Sequence, residues 1–387
     1  MMGDGYCSAR VAVDIRPLLA ARTGVGKYQA SVMRAVMQMN SGVNYEGFGA
    51  YDWTPITTDQ LDVSSQKEAG AGRAETLLRK VPFAPSAFHV LRSAAYRLSL
   101  VRRHVDFFHA FLYRPPAFSC LPFLPVVYDL SHKRLPQYHP VERIRWMSKL
   151  DRYIHDAFLV HTISEFSAGE IVDVYGVKRE NIIVAPPGVD AVFLQTADPR
   201  GTLDKFGLEK NKFFLCVGTL EPRKNIATLV RAYANAPTTF QQRFPLALVG
   251  MKGWSESIPS EGERLIQSGA LRIIGYITDH ELRDLYASAR AMAYPSIYEG
   301  FGMPIAEARA AGARVIASDI PPHHEASGGS AVFVEPMDVD AWRAALLAAS
   351  DFDDPVEAFS ARQIPSSLTW GHAAAQTLEM YRRIQLA

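Results

Sequence analysis

Short apolar runs alternate along the chain with segments in which apolar residues recur at helical spacing. Residues 11–15 (VAVDI) read as a strand, 16–27 as a turn-rich loop and 28–39 as a helix. Apolar runs at 106–111, 124–128, 158–162 and 182–185 continue this first series. A denser second series begins near residue 212, with strands over 212–217, 246–250, 271–274, 291–294 and 314–317. Its helices fall at 225–235, 279–288 and 304–311. Strands alternating with helices imply βαβ units and parallel sheets, and the second series predicts a Rossmann-like domain. Pro186-Pro187-Gly188-Val189-Asp190 closes the first series, and the polar stretch 195–212 leads into the second, placing a hinge near 190–205. The expected domains are 1–195 and 196–365, with a terminal segment 366–387 whose helix carries Trp370, Leu378 and Tyr381 on one side. Residues 52–75 are polar and weakly patterned and read as a loop.

Composition narrows the function. A chain of 387 residues suits two domains, and 48% hydrophobic with 21% charged residues is ordinary for a soluble protein. Lys+Arg number 41 against 40 Asp+Glu, a balance that argues against bulk nucleic-acid binding. Cys7, Cys120 and Cys216 form no CxxC pair and no even framework, so disulfides and a zinc site are not expected and a reducing cytoplasm fits. Cys216 lies in an apolar strand and reads as a small core residue. The N-terminus lacks a basic region followed by a long apolar stretch, and no run of about 18 apolar residues occurs, so neither a signal peptide nor a membrane span is expected.

Two segments carry chemistry. Gly218-Thr219-Leu220-Glu221-Pro222-Arg223-Lys224-Asn225 follows a strand and precedes a helix. A helix N-terminus presents free N–H groups and partial positive charge, and Asn225 can cap it. Arg223 adds a bidentate fork and Lys224 a point charge, a combination suited to a diphosphate. A solvated surface Arg-Lys pair is the plainer alternative, and the strand–turn–helix setting weighs against it. The second segment runs from Tyr294 through Glu299-Gly300-Phe301-Gly302-Met303-Pro304 to Glu307. Pro304 suits a helix start, and Gly300 and Gly302 permit close backbone approach to a ligand. Glu299 and Glu307 flank those N–H groups and suit sugar hydroxyls; alone, two glutamates at that spacing mean little.

Together these segments resemble the retaining GT-B glycosyltransferases of the large group 1 family (glycosyltransferase family 4), which includes sucrose synthase and many bacterial mannosyltransferases. Glu299 and Glu307 match its Glu-x7-Glu pattern, and Arg223-Lys224 its phosphate-binding pair. Gly24-Val25-Gly26, Ser164 to Ser167, Pro187 to Asp190, Val249-Gly250 with Gly253-Trp254, and Gly275-Tyr276 with Leu282 and Leu285 resemble further family segments. The resemblance implies an α/β fold of two Rossmann-like domains facing across a cleft, with the C-terminal helix crossing back to the N-terminal domain. It also implies roles. Glu307 binds the donor ribose, Glu299 holds the transferred sugar, and Arg223 and Lys224 neutralise the leaving nucleoside diphosphate. Gly24, Gly26, Thr219, Gly250, Tyr276, Leu282, Gly300, Phe301, Gly302 and Met303 complete the donor site. No divalent metal or other cofactor is implied; Asp351-Phe352-Asp353 fits the letters of a metal motif but reads as surface.

The acceptor side departs from the family pattern. Tyr128 stands where many relatives place a histidine, while Asp129 is kept. Asp129 is thus the expected acceptor-side catalytic residue, with His109, Tyr128 and His132 as acceptor candidates, each histidine being as readily structural. Residues 73–103 interleave seven Lys/Arg with Phe83, Phe88, Leu91, Tyr96 and Leu98, and a second cluster joins Arg143, Arg145, Lys149 and Arg152 to Trp146. Such stretches suit peripheral contact with the inner membrane surface and a lipid-diphosphate-linked acceptor; solvated helix faces are the alternative. The resulting expectation is a hexosyltransferase taking mannose from GDP-mannose to a glycan or lipid-linked acceptor in cell-surface polysaccharide synthesis. GDP-rhamnose or UDP-glucose as donor, and a non-catalytic partner subunit, are the alternatives. A nicotinamide-type Rossmann enzyme is disfavoured, because Gln29 stands where the third glycine of its fingerprint belongs.

Overall fold

The computed structural model describes residues 9–19, 24–48, 53–58, 61, 104–112, 121–251, 253, 258–351 and 365–386. They form two compact units, one comprising residues 1–130, 142–188 and 370–387, the other 131–141 and 189–369.

The first unit is built on seven strands: β1 (Arg10–Asp14), β2 (Asn44–Phe48), β3 (Trp53–Pro55), β4 (Phe107–Ala110), β5 (Phe123–Val127), β6 (Val160–Thr162) and β7 (Ile182–Val184). Their order is β3-β2-β1-β4-β5-β6-β7, parallel throughout except for the antiparallel β2–β3 pair. β4 and β5 are buried along their whole length, as strands covered on both faces must be. β2 and β3 were not expected from the pattern: Tyr45-Glu46-Gly47 interrupts the apolar run, and β3 has only three residues inside the expected 52–75 loop. The helix expected over 28–39 starts earlier and runs Gly24–Gln38, and Arg16–Leu19 adds a helical turn to the expected loop. The Trp370–Gln385 helix belongs to this unit and lies along Gly24–Gln38 and β7. The basic stretch 73–103, Cys7 and Cys120 lie outside the described residues. Among the described residues no helix is long and apolar enough to cross a membrane.

A buried hydrogen-bond chain joins these elements. The Tyr28 hydroxyl donates to the Ala185 carbonyl (2.7 Å) and lies 2.8 Å from His161 Nε2. A hydroxyl has one proton, so His161 Nε2 must be the donor to Tyr28 and its Nδ1 the acceptor. His109 Nε2 lies 3.0 Å from that Nδ1 and therefore donates, leaving His109 Nδ1 to accept from the Tyr381 hydroxyl at 2.7 Å. The Tyr45 hydroxyl then donates to Tyr381 across 3.2 Å. These contacts are satisfied with both imidazoles as neutral Nε2–H tautomers. Burial lowers both rings, His161 to about 3 and His109 further helped by His161.

The second unit holds six parallel strands, β8 (Phe214–Val217), β9 (Leu246–Val249), β10 (Leu271–Gly275), β11 (Ala291–Tyr294), β12 (Val315–Ser318) and β13 (Val332–Val334), in the order β10-β9-β8-β11-β12-β13. Phe214, Leu229, Tyr233, Leu246, Trp342 and Leu346 form its core, with Cys216 among them. Burial pushes the Cys216 thiol up to about 12, as befits an inert core residue. In this order the chain runs outward from β8 on one side and from β11 on the other. Ligands in such sheets bind beyond the carboxyl ends of the strands at that reversal. The loops leaving β8 and β11 are the two chemistry-bearing segments, so the topology itself brings them together.

Because both histidines are held below their unfolded pKa of 6.5, the unfolded chain takes up protons first on acidification. Their contribution is complete above pH 6.5 and is lost as pH falls through each ring's folded-state pKa, about 3 for His161. Urea unfolding of the first unit between pH 7 and pH 4.5 should show stability falling by up to about 1.4 kcal/mol per pH unit for each histidine. His161→Gln should flatten that slope, and imidazole nitrogen NMR should find both rings uncharged at pH 5.

Candidate functional site

The site starts from the chain leaving β8. Gly218 N–H donates to Val249 O and Leu220 N–H to Met251 O, so this loop runs beside the one leaving β9. The approach at Gly250 admits no side chain: a Cβ there would stand 2.0 Å from Gly218 O. Its φ of +147° is a second reason for glycine. Thr219 lies in the same loop, its carbonyl accepting from Glu221 N–H.

Pro222–Lys224 forms a 3₁₀ turn, and Ile226–Ala234 is the helix that follows. Asn225 occupies the N-cap position, yet its side chain makes no capping bond and its backbone is left-handed at φ 55°. The expected cap is corrected on this point. The Asn225 amide instead donates to Pro295 O at 3.0 Å and Pro336 O at 2.7 Å, while its carbonyl accepts from the Thr228 hydroxyl. Asn225 is thus a clamp between the β8 and β11 loops. Ile297 N–H donates to Arg223 O (3.0 Å) and Arg223 Nη1 to Tyr298 O (3.1 Å), closing the same seam.

Across that seam the charged groups meet. Arg223 Nη1 lies 2.8 Å from Glu299 Oε2, and Lys224 Nζ lies 2.5 Å from Glu299 Oε1. Arg223 Nη2 also pairs with Glu221 Oε1 at 2.7 Å. The Tyr294 hydroxyl, at the end of β11, accepts from Lys224 and donates to Glu299 Oε1, each at 2.9 Å. Burial alone raises the Glu299 carboxyl, but Arg223 and then Lys224 outweigh it and hold it well below the usual carboxylate range. Glu221 and Tyr294 were given no role from sequence, and Asn225 only that of a cap; Tyr294 reaches Lys224 from 70 residues away, whereas Glu221 pairs with Arg223 within its own turn.

Gly300, Phe301, Gly302 and Met303 follow directly. Gly302, at φ +110°, is the N-cap of the Met303–Ala310 helix, with Pro304 in its first turn. A Cβ at Gly302 would press on the His323 ring at 3.3 Å. His323 is fully buried; its Nδ1 donates to Ser318 O, and burial lowers the ring to about 4. Glu307, one turn into the helix, is buried and accepts from the Tyr286 hydroxyl at 3.4 Å. Leu282 is half-buried on the Asp279–Ser288 helix, and Tyr276 is 77% exposed after β10.

The remaining candidates lie elsewhere. Gly24 and Gly26 open the Gly24–Gln38 helix of the first unit, and Asp129 follows β5. His109 is not available to an acceptor: it is fully buried and both ring nitrogens are engaged by Tyr381 and His161. Tyr128 is buried with its ring edge-on to Tyr28. His132 is buried in Ser131–Arg134, within the short segment that groups with the second unit.

Gly250→Ala should force the β8 and β9 loops apart. We expect a loss of about 1–3 kcal/mol in thermal unfolding of the second unit.

The profile of the family described as "Glycosyl transferases group 1" matches residues 202–361, a span that contains every charged residue of this site. The chain is 30% identical over 387 residues to O-antigen chain mannosyltransferase B of Escherichia coli, covering 96% of this chain and 99% of that one. Among solved structures, sucrose-phosphate synthase from Thermosynechococcus elongatus superposes with a TM-score of 0.68 at 18% identity, covering 98% and 99% of the two chains. WaaG, a glycosyltransferase involved in lipopolysaccharide biosynthesis, gives 0.64 at 16%, covering 97% and 98%. With two parallel-sheet α/β units and this likeness over the whole chain, the protein is an enzyme of the group 1 glycosyltransferases, with the GT-B fold.

Proposed function

We propose that the enzyme transfers mannose from GDP-mannose to a growing cell-surface polysaccharide or its lipid-linked precursor, with retention of anomeric configuration. The observation that carries this reading is the buried Arg223–Lys224 pair joined to Glu299 at the β8/β11 reversal, with Glu307 one helical turn further on. The likeness to an O-antigen mannosyltransferase supports the choice of sugar and of polysaccharide. A sugar nucleotide reacts by breaking the bond from the sugar's anomeric carbon to the diphosphate oxygen, whose electron pair leaves with the diphosphate. Arg223, Lys224 and the N-terminus of Met303–Ala310 stabilise the charge that develops there, so a divalent ion is not required. The acceptor hydroxyl forms the new bond to the anomeric carbon and gives up its proton to the departing diphosphate oxygen, with Asp129 assigned to the acceptor and Gly24 and Gly26 to the donor. Glu299 holds sugar hydroxyls, and Glu307 holds the ribose.

The Val141–Met147 helix presents exposed Arg143, Arg145 and Trp146, and exposed Lys149 follows. A basic face with an exposed aromatic suits the anionic headgroups of the cytoplasmic membrane surface, where a lipid-linked acceptor resides.

The test is transfer from GDP-mannose, GDP-rhamnose and UDP-glucose to a mannan acceptor, read by mass spectrometry, with the new anomeric centre assigned by NMR. GDP-mannose should be the best donor and the product should retain its configuration; transfer from UDP-glucose alone, or no transfer from any donor, overturns the reading. Lys224→Ala should lower kcat about 10²–10³-fold, as expected when one stabiliser of a leaving anion is removed.

A further inference from the structure

The cations assigned to the donor's diphosphate are already occupied. Side-chain exposures are 13% for Arg223, 12% for Lys224, 4% for Glu221 and 9% for Glu299, so two positive and two negative charges share one buried cluster. The formal charges of these four residues sum to zero before any ligand arrives. A diphosphate brings two more negative charges, and burying them against cations already neutralised leaves negative charge uncompensated in a dry site. One carboxylate must therefore give way.

The two carboxylates are not equivalent. Glu221 pairs with Arg223 from within the same turn, and its N–H is tied to Thr219 O. Glu299 bridges both cations, one on each carboxylate oxygen. It thus sits as a phosphate would, with one oxygen for the guanidinium and one for the ammonium. It is followed by Gly300 and by Gly302 in a left-handed conformation, where the backbone turns at little cost.

Building on the donor assignment above, we propose that Glu299 is an internal counter-ion: its carboxylate stands in the diphosphate's place in the empty enzyme, yields Arg223 and Lys224 to the incoming diphosphate, and is thereby released to accept hydroxyls of the transferred sugar. The exchange makes the intact sugar nucleotide a better ligand than the bare nucleoside diphosphate. With a sugar present, the displaced carboxylate finds new donors. Once the sugar has been transferred it has none, and it competes for the cations again. The same residue thus favours entry of the donor and departure of the product. Tyr294, hydrogen-bonded to both Lys224 and Glu299, is the positioning residue that holds the closed pairing.

The experiment measures binding of inorganic pyrophosphate by calorimetry to the wild-type protein and to Glu299→Gln, which keeps the shape and removes the competing charge. Glu299→Gln should bind pyrophosphate about tenfold more tightly, within the range of ordinary coupling between binding events, while losing transfer. Tyr294→Phe removes no charge and leaves the chain foldable should Glu299→Gln fail to fold; it should tighten pyrophosphate by a smaller factor in the same direction. Equal or weaker binding by the variants overturns the exchange and leaves the donor assignment standing. Pyrophosphate binding by neither wild type nor variant overturns both.

Discussion

Two buried cations and the Glu221 carboxylate from the β8 loop meet the Glu299 carboxylate from the β11 loop, and the geometry of the second unit is arranged around that cluster. A cation left alone at such a site would be costly, and breaking a buried pair by removing one partner costs about 3–5 kcal/mol. Replacing such a group by apolar residues is often neutral or stabilising, so stability alone does not explain why it is there. Its value is chemical. On the function proposed above, positive charge is stored in a dry place, already oriented, for a leaving diphosphate.

The rest of the fold serves to hold that pairing in place. The sheet order reverses between β8 and β11, so the two loops leave the same edge side by side. The seam between them is also closed by hydrogen bonds from the Asn225 amide, the Ile297 N–H and the Arg223 guanidinium to backbone carbonyls, so the Glu299 ion pairs are not the sole link between the loops. Gly250 lets the β9 loop press against Gly218 with no intervening side chain. Within the first unit the Tyr45–Tyr381–His109–His161–Tyr28 chain likewise joins distant elements, and burial keeps its histidines neutral.

Much of this was legible in the sequence, for physical reasons. Parallel strands buried on both faces must be apolar along their length, so β8, β9 and β11 announce themselves, and glycine-bearing turns between strand and helix mark where a ligand can meet backbone. Arg223, Lys224 and Glu299 were readable because they sit in those turns. What was not readable depends on contacts between distant residues. His109 looked like an acceptor-side candidate because it ends a strand; its partners His161 and Tyr381 come from far along the chain and close both its nitrogens. Asn225 looked like a helix cap because capping is local, whereas its clamp onto Pro295 and Pro336 is not. The same limit hid the contact of Tyr294 with Lys224. β2 escaped because Glu46 and Gly47 break its apolar run, although β1 and β3 pair with it on either side.

The central claim is that Lys224 and Glu299 are energetically one unit in the empty enzyme. A double-mutant cycle in urea unfolding of the second unit, using Lys224→Met, Glu299→Gln and the double variant, measures that directly. The account predicts that each single change is strongly destabilising and that the double variant recovers at least about 2 kcal/mol of their sum. Additive losses, with a coupling indistinguishable from zero, would contradict it.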